Sequence, residues 1–203
     1  MSRDYLHPYQ PIRKHGLKLP HWQQDEAMQF VTFRLGDSLP EEKKELWKTQ
    51  RNAWNQTWPK PWTPEQEADY HRRFTYRLEK WLDAGAGSCL LRDSTNRGIL
   101  EKILMFDEGR KYEHHAWVIM PNHVHLLFKP LAPLESLIQT WKSISARRIA
   151  TRPIWQANCR DTMIRDGDHF TNAVQYIRRN PTKARLPETD FTLWQSERAL
   201  RIS

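Results

Sequence analysis

Two apolar runs separated by one proline–asparagine pair constrain this chain more than any other feature. Tyr112 to Met120 and His123 to Lys129 each have the length and composition of a strand. Pro121-Asn122 is a turn signal, so the two should pair antiparallel as a hairpin. A chain built around such a ribbon needs further strands to extend it and helices to cover it.

The rest of the sequence supplies both. In Gln29 to Leu35, Phe30, Thr32 and Arg34 alternate with Val31, Phe33 and Leu35, which reads as a first strand closed by Gly36-Asp37-Ser38. From Pro40 to about Gly85 the apolar spacing becomes helical, with Trp47, Trp54 and Trp58 before a Pro-rich break and Phe74, Leu78, Trp81 and Leu82 after it. This is the pattern of a helical hairpin insertion. Five of the ten Trp fall there, and at helical spacing they are assigned to the insertion's own core rather than to base stacking. A helix from Ser94 to Phe106, capped by Asp93 or Ser94, precedes the hairpin. A helix from Leu134 to Ala150 follows it, then an extended piece at Thr162 to Arg165. The last helix runs from Asp168 to about Arg179 and should end at Asn180, because the residue before a proline avoids helical geometry.

The order predicts an α+β protein: a ferredoxin/RRM-like βαββαβ core with one antiparallel sheet, helices on one face, and the helical insertion at about 40–85. A chain of 203 residues accommodates one such domain, residues 21–203, behind a basic arm at 1–20 that holds Pro8, Pro11 and Pro20. No signal-sequence pattern is present, so the expected location is cytoplasmic, and nucleoid-associated if nucleic acid is the partner. Cys89 and Cys159 lie outside any CxxC spacing, which argues against a disulfide framework or a Cys-based zinc site.

The net charge of +8 is unevenly spread. Residues 41–110 carry thirteen Lys/Arg against twelve Asp/Glu, whereas residues 136–185 carry ten against three. So local an excess suits a polyanion. Nucleic acid is favoured over a membrane surface, since no segment is both strongly basic and strongly amphipathic.

Within the hairpin, His123 and His125 are two apart on a strand and project from the same face. Val124, Leu126 and Phe128 take the other face, which is expected to carry the packing. Such a pair is either half of a metal site or two satisfied polar residues, and the pattern alone leaves both open. Zinc hydrolases on eight-stranded barrels also use paired strand histidines, but this chain is too short for that fold. In the last helix, Phe170, Ala173, Val174 and Ile177 form the apolar stripe. Tyr176 and Asn180, four apart, share its flank and could reach one point.

Taken together, the run Ala116-Trp117-Val118-Ile119-Met120-Pro121-Asn122-His123-Val124-His125 and the run Tyr176-Ile177-Arg178-Arg179-Asn180-Pro181-Thr182-Lys183-Ala184 resemble the HUH single-tyrosine transposases, in particular their REP-associated branch. Trp141-Lys142-Ser143, Ile154-Trp155-Gln156 and Ile164-Arg165-Asp166 resemble family segments as well. The resemblance implies that His123, His125 and Asn180 ligate a divalent ion, magnesium or manganese. It implies that Tyr176, on a C-terminal catalytic helix, is the nucleophile that forms a 5′-phosphotyrosine. The implied partner is single-stranded DNA bearing hairpins, held chiefly through phosphates by Lys142, Arg147, Arg148, Arg178 and Arg179, with the protein a monomer or a homodimer. The chain departs from the family pattern at Arg185, where Gly is common, and at Ala157 to Arg160, where aromatic residues are more usual. Two other classes compete with the transposase reading: a hairpin-binding protein that no longer cuts, and a metal-dependent phosphoesterase in which Tyr176 is incidental.

Overall fold

A computed structural model describes residues 4–15, 21–150 and 152–202. Parts of the expected N-terminal arm, residues 1–3 and 16–20, lie outside the described residues. Of the described part of the arm, residues 4–12 are irregular, with Leu6 N–H on the Ile164 carbonyl, and β1 (Arg13–His15) pairs with β2 (His21–Gln23), just beyond the arm.

The first strand of the main sheet is β3 (Gln29–Arg34). The insertion follows as α1 (Glu41–Thr57), α2 (Pro64–Tyr70), a π-helical turn at His71–Thr75 and α3 (Tyr76–Asp83). Thr63 and Gln66 form a reciprocal capping box that starts α2. Next come α4 (Ser94–Met105), capped by Asp93 through the backbone N–H groups of Thr95 and Asn96, then β4 (Tyr112–Ile119) and β5 (His123–Pro130). The chain continues through α5 (Leu134–Ile149), β6 (Arg160–Met163), α6 (Gly167–Lys183), β7 (Thr192–Gln195) and α7 (Glu197–Leu200).

The five strands lie in the order β6-β3-β5-β4-β7, and every neighbouring pair is antiparallel. Leaving aside β7, which the sequence pattern did not suggest, this is the strand order of the expected ferredoxin-like core. The hairpin sits at its centre. Residues 114 and 116 of β4 are paired across a bulge at His115. The extra residue shifts the alternation, so Tyr112 and His114 face the same side as Trp117 and Ile119 despite their opposite parity.

Helices cover both faces, not one. On the first face, α4 and α5 bury Val31, Phe33, Trp117, Val124, Leu126 and Phe128 against Leu100, Leu104, Leu137 and Trp141. On the second, α6 lays Phe170, Val174 and Ile177 over Met28, Ala116, Val118 and Leu127. The apolar residues that alternate with His123 and His125 therefore account for only half of the packing. Cys89 and Cys159 are buried and form no disulfide.

The last helix is also longer than expected. It passes through Pro181 to Lys183, because a proline in the final turn forfeits only the bond to the Ile177 carbonyl, and the helix ends within three residues. The end is a Schellman motif: Leu186 N–H bonds Pro181 O at 3.0 Å and Arg185 N–H bonds Thr182 O at 3.0 Å, with Arg185 left-handed at φ 55°. Gly, common at this position in the resembled family, would adopt that conformation without a Cβ penalty.

Inside the insertion, Trp54 packs edge-on against Trp62, Tyr70 and Phe74, and its indole N–H reaches Asp69 at 3.2 Å. The Trp stripe forms a local core, although Trp58 at its tip is 45% exposed. No helix among the described residues is long and apolar enough to cross a membrane.

Candidate active site

The second face of the sheet carries a buried polar cluster where β3, β5 and α6 meet. Register places Thr32 opposite His125 and Arg34 opposite His123. His123 and His125 are nearly completely buried, at 1% and 2% exposure, with ring centroids 4.8 Å apart. From the helix above, Tyr176 brings its ring edge-on to His125 at 5.1 Å, and Phe30 contacts both rings at 5.7 Å. Asn180, one turn further along α6, is buried beside them.

The hydrogen bonds fix how the imidazoles present themselves. Asn122 donates its amide nitrogen to the carbonyls of Leu82 (3.2 Å) and Ala86 (3.1 Å), so its amide oxygen is the acceptor for His123 Nδ1 at 2.7 Å. His123 therefore holds its proton on Nδ1 and its lone pair on Nε2. His125 Nδ1 lies 2.7 Å from Thr32 Oγ1, and its buried Nε2 has no protein partner. An imidazole held through one nitrogen and left open at the other is the usual preparation of a metal ligand. Both amide atoms of Asn180 and the hydroxyl of Tyr176 are likewise buried without a hydrogen bond of full geometry.

Electrostatics act in the same direction. Burial, with Arg34 and Lys183 nearby, lowers the His123 pKa to about 3. Burial, then His123, Arg160 and Lys183, holds His125 well below its usual range. Both rings are neutral at neutral pH, as ligation requires. Tyr176 is pushed well above the ordinary phenol range by burial and by the carboxylates Glu79 and Asp83. Its proton stays on in the DNA-free protein.

Two His and an Asn amide oxygen are a donor set that a divalent ion accepts, and the buried, partnerless atoms of His125 and Asn180 fit one. The set contains only two side chains of the His, Cys, Asp and Glu kinds. No group of three such side chains that could hold a metal occurs among the described residues.

Thus His123, His125, Tyr176 and Asn180 are brought together. The five cations expected to hold DNA are not. Lys142 donates to the carbonyls of Gln156, Ala157 and Asn158, and Arg178 donates to those of Ile202 and Ala199, so both spend their donors inside the protein. Arg147 and Arg148 are exposed at the end of α5, beyond the opposite face of the sheet, and Arg179 is exposed on α6. The cations that act on the site are Arg34, Arg160 and Lys183. They escaped the sequence reading, as did Glu79 and Asp83 of the insertion. Strand register, once known, would have identified Thr32 and Arg34; no local pattern identifies the others.

No family model matches the sequence. A REP-associated tyrosine transposase of Escherichia coli (strain K12) is 26% identical over 84 residues, which cover 40% of this chain and 51% of that protein. The match thus spans about half the length of that curated relative. Among solved structures, a REP-associated tyrosine transposase bound to a REP hairpin aligns with 83% of this chain and 74% of its own, at 16% identity and a TM-score of 0.46. Over those 84 residues the chain is similar to a REP-associated tyrosine transposase.

Proposed function

We propose that this protein cleaves and rejoins single-stranded DNA beside hairpins through Tyr176, with His123, His125 and Asn180 holding a divalent ion. One observation carries the reading. Two elements distant in sequence bring two neutral imidazoles, an amide and a tyrosine hydroxyl to one buried place, and His125 Nε2, the Asn180 amide and the Tyr176 hydroxyl lack hydrogen bonds of full geometry there. Buried polar atoms without partners cost about 1–3 kcal/mol each, so such a cluster points to a ligand that completes it.

A bound divalent ion would polarise a non-bridging phosphate oxygen and offset the charge developing on it. Two imidazoles with one amide oxygen suit manganese better than magnesium, and either serves. The remaining work belongs to the chain. Asn122 and Thr32 hold the imidazoles in the ligating orientation, and Phe30 fixes the Tyr176 ring beside them. Tyr176 Oη attacks phosphorus; an Oη–P bond forms, the P–O3′ bond breaks, and the proton that Oη gives up is matched by the proton that the departing 3′ oxygen takes up. The 5′-phosphotyrosine conserves the bond energy, so rejoining to a second end needs no ATP. Exposed Arg147, Arg148 and Arg179 are available to phosphates of the stem.

The experiment is incubation with an end-labelled single-stranded hairpin oligonucleotide and manganese, followed by denaturing electrophoresis. A label that comigrates with the protein and is absent in Tyr176→Phe is expected. Cleavage by both proteins without an adduct would establish a hydrolase instead. Binding without cleavage is a second reading, favoured by one observation: the Tyr176 hydroxyl is buried and its proton held tightly in the DNA-free form. Stoichiometric binding with no product from any hairpin would select it.

A further inference from the structure

We infer that Arg160 and Lys183 form a phosphate-binding pair for the DNA strand at the Tyr176 site, and that Glu79 and Asp83 of the helical insertion occupy this pair as carboxylate stand-ins until DNA arrives. The inference rests on the reading of the site given above and concerns residues which that reading does not use. Arg160 opens β6 and Lys183 closes α6, so they approach from two different elements. Arg160 pairs across the sheet with Thr32, whose hydroxyl meets His125 at 2.7 Å, and Lys183 lies one turn beyond Asn180 on α6. Each meets one carboxylate from α3: Arg160 Nη1 lies 3.4 Å from Glu79 Oε1, and Lys183 Nζ lies 3.3 Å from Asp83 Oδ2.

The two partners of each pair are unequally exposed. Glu79 and Asp83 retain 15% and 12% side-chain exposure, while Arg160 and Lys183 retain 47% and 53%. The acids are drawn inward and the bases still face solvent. Burial raises the pKa of both acids, so these are not sites chosen for a comfortable carboxylate. Glu79 and Asp83 are four residues apart on one helix face, which spaces two negative charges along a line as a nucleic-acid backbone does. Lys183 lies two turns from Tyr176 on α6, so its ion pair holds α3 beside the helix that carries the Tyr176 hydroxyl. A phosphodiester in line with that hydroxyl would bring its own negative charge to the same place. Three negative groups there repel one another, so a strand that enters must displace the carboxylates and can take over their cations.

The exchange is tested by binding a fluorescent single-stranded hairpin oligonucleotide over about 50–200 mM salt, with folding of every variant checked by circular dichroism and thermal melting. Arg160→Gln and Lys183→Gln should each weaken binding and lower the salt slope by about 0.7–0.9. Glu79→Gln with Asp83→Asn should instead tighten binding by about fivefold, the scale of two exposed ion pairs released. The reversal Glu79→Arg with Arg160→Glu keeps an ion pair between the same positions and should not restore wild-type binding. Wild-type affinity in the reversed protein would show that the pair only anchors the insertion and would overturn the inference. So would an unchanged salt slope in both cation variants, or binding no tighter in the carboxamide double variant. Loss of the covalent adduct in Glu79→Gln at undiminished affinity would make Glu79 a proton acceptor rather than a stand-in. Failure of the wild-type protein to bind any hairpin would remove the reading of the site itself, whereas ordinary wild-type binding with indifferent variants would remove the phosphate pair alone.

Discussion

Replacing Tyr176 by Phe should separate stability from chemistry, with the two moving in opposite directions. The Tyr176 ring packs edge-on against Phe30 at 5.7 Å and His125 at 5.1 Å, and Phe retains both contacts. What is lost is a buried hydroxyl without a hydrogen bond of full geometry, a group that costs about 1–3 kcal/mol to desolvate. Against this stand the few dispersion contacts of one oxygen, at about 0.1–0.2 kcal/mol per atom pair. The balance is a gain of about 1 kcal/mol in the protein free of DNA and metal, or a rise in Tm of about 2–4 °C for a chain of this size. Urea and thermal denaturation measure it, while the denaturing gel follows the adduct. A variant that gains stability and loses the adduct would have the signature of a site held ready at the fold's expense. A loss of about 1 kcal/mol or more would refute the argument, because it would mean that the hydroxyl is satisfied in the native protein.

Arg185→Gly should stabilise the protein by about 0.5–1 kcal/mol by removing the Cβ from a left-handed helix terminus, and equilibrium denaturation would detect it. His115 is buried with its pKa lowered to about 4, chiefly by desolvation. The unfolded chain then binds a proton that the folded chain refuses between about pH 6.5 and 4, so stability falls as pH drops through that window, by about 3 kcal/mol in all. His115→Gln should flatten urea-midpoint profiles there; a variant as acid-sensitive as wild type would contradict the assignment. In calorimetric titration with manganese, His125→Gln should lower affinity about 10–100-fold, the range typical of disturbed metal sites. Asn180→Ala should lower it less, since water replaces a neutral amide oxygen readily. Equal affinities in both variants and wild type would place the ion elsewhere.

The hairpin, the first strand and the order of helices could be read from the sequence because their information is local: a period of two, a period near 3.6, and turn dipeptides between. Strand geometry placed His123 and His125 on one face and helix geometry placed Tyr176 and Asn180 on one flank, while their suggested roles came from the resemblance of the two runs to a known family. The bulge at His115 could not be read, since a single extra residue leaves composition and length unchanged while altering parity. The covering of both sheet faces was missed for a related reason. Val124, Leu126 and Phe128 announce one apolar face, and His123 and His125 disguise the other, which α6 nevertheless buries. Glu79, Asp83 and Arg160 owe their positions to packing between segments about 80–100 residues apart from one another or from Tyr176. Acidic and basic residues of that kind look like ordinary solvated charges until the chain is folded.

Asn122 joins two parts of the molecule that the chain keeps about 40 residues apart. Its amide nitrogen is bound by carbonyls at the end of the insertion, and its amide oxygen orients the first histidine. The same planar group therefore belongs to both, and it cannot rotate for one without rotating for the other. Linkage makes such a joint reciprocal. If loading an ion onto His123 restricts the insertion, then restraining the insertion strengthens the ion's hold by an equal free energy. Hydrogen exchange in α3 should therefore slow when manganese is added, at a helix that supplies none of the proposed ligands.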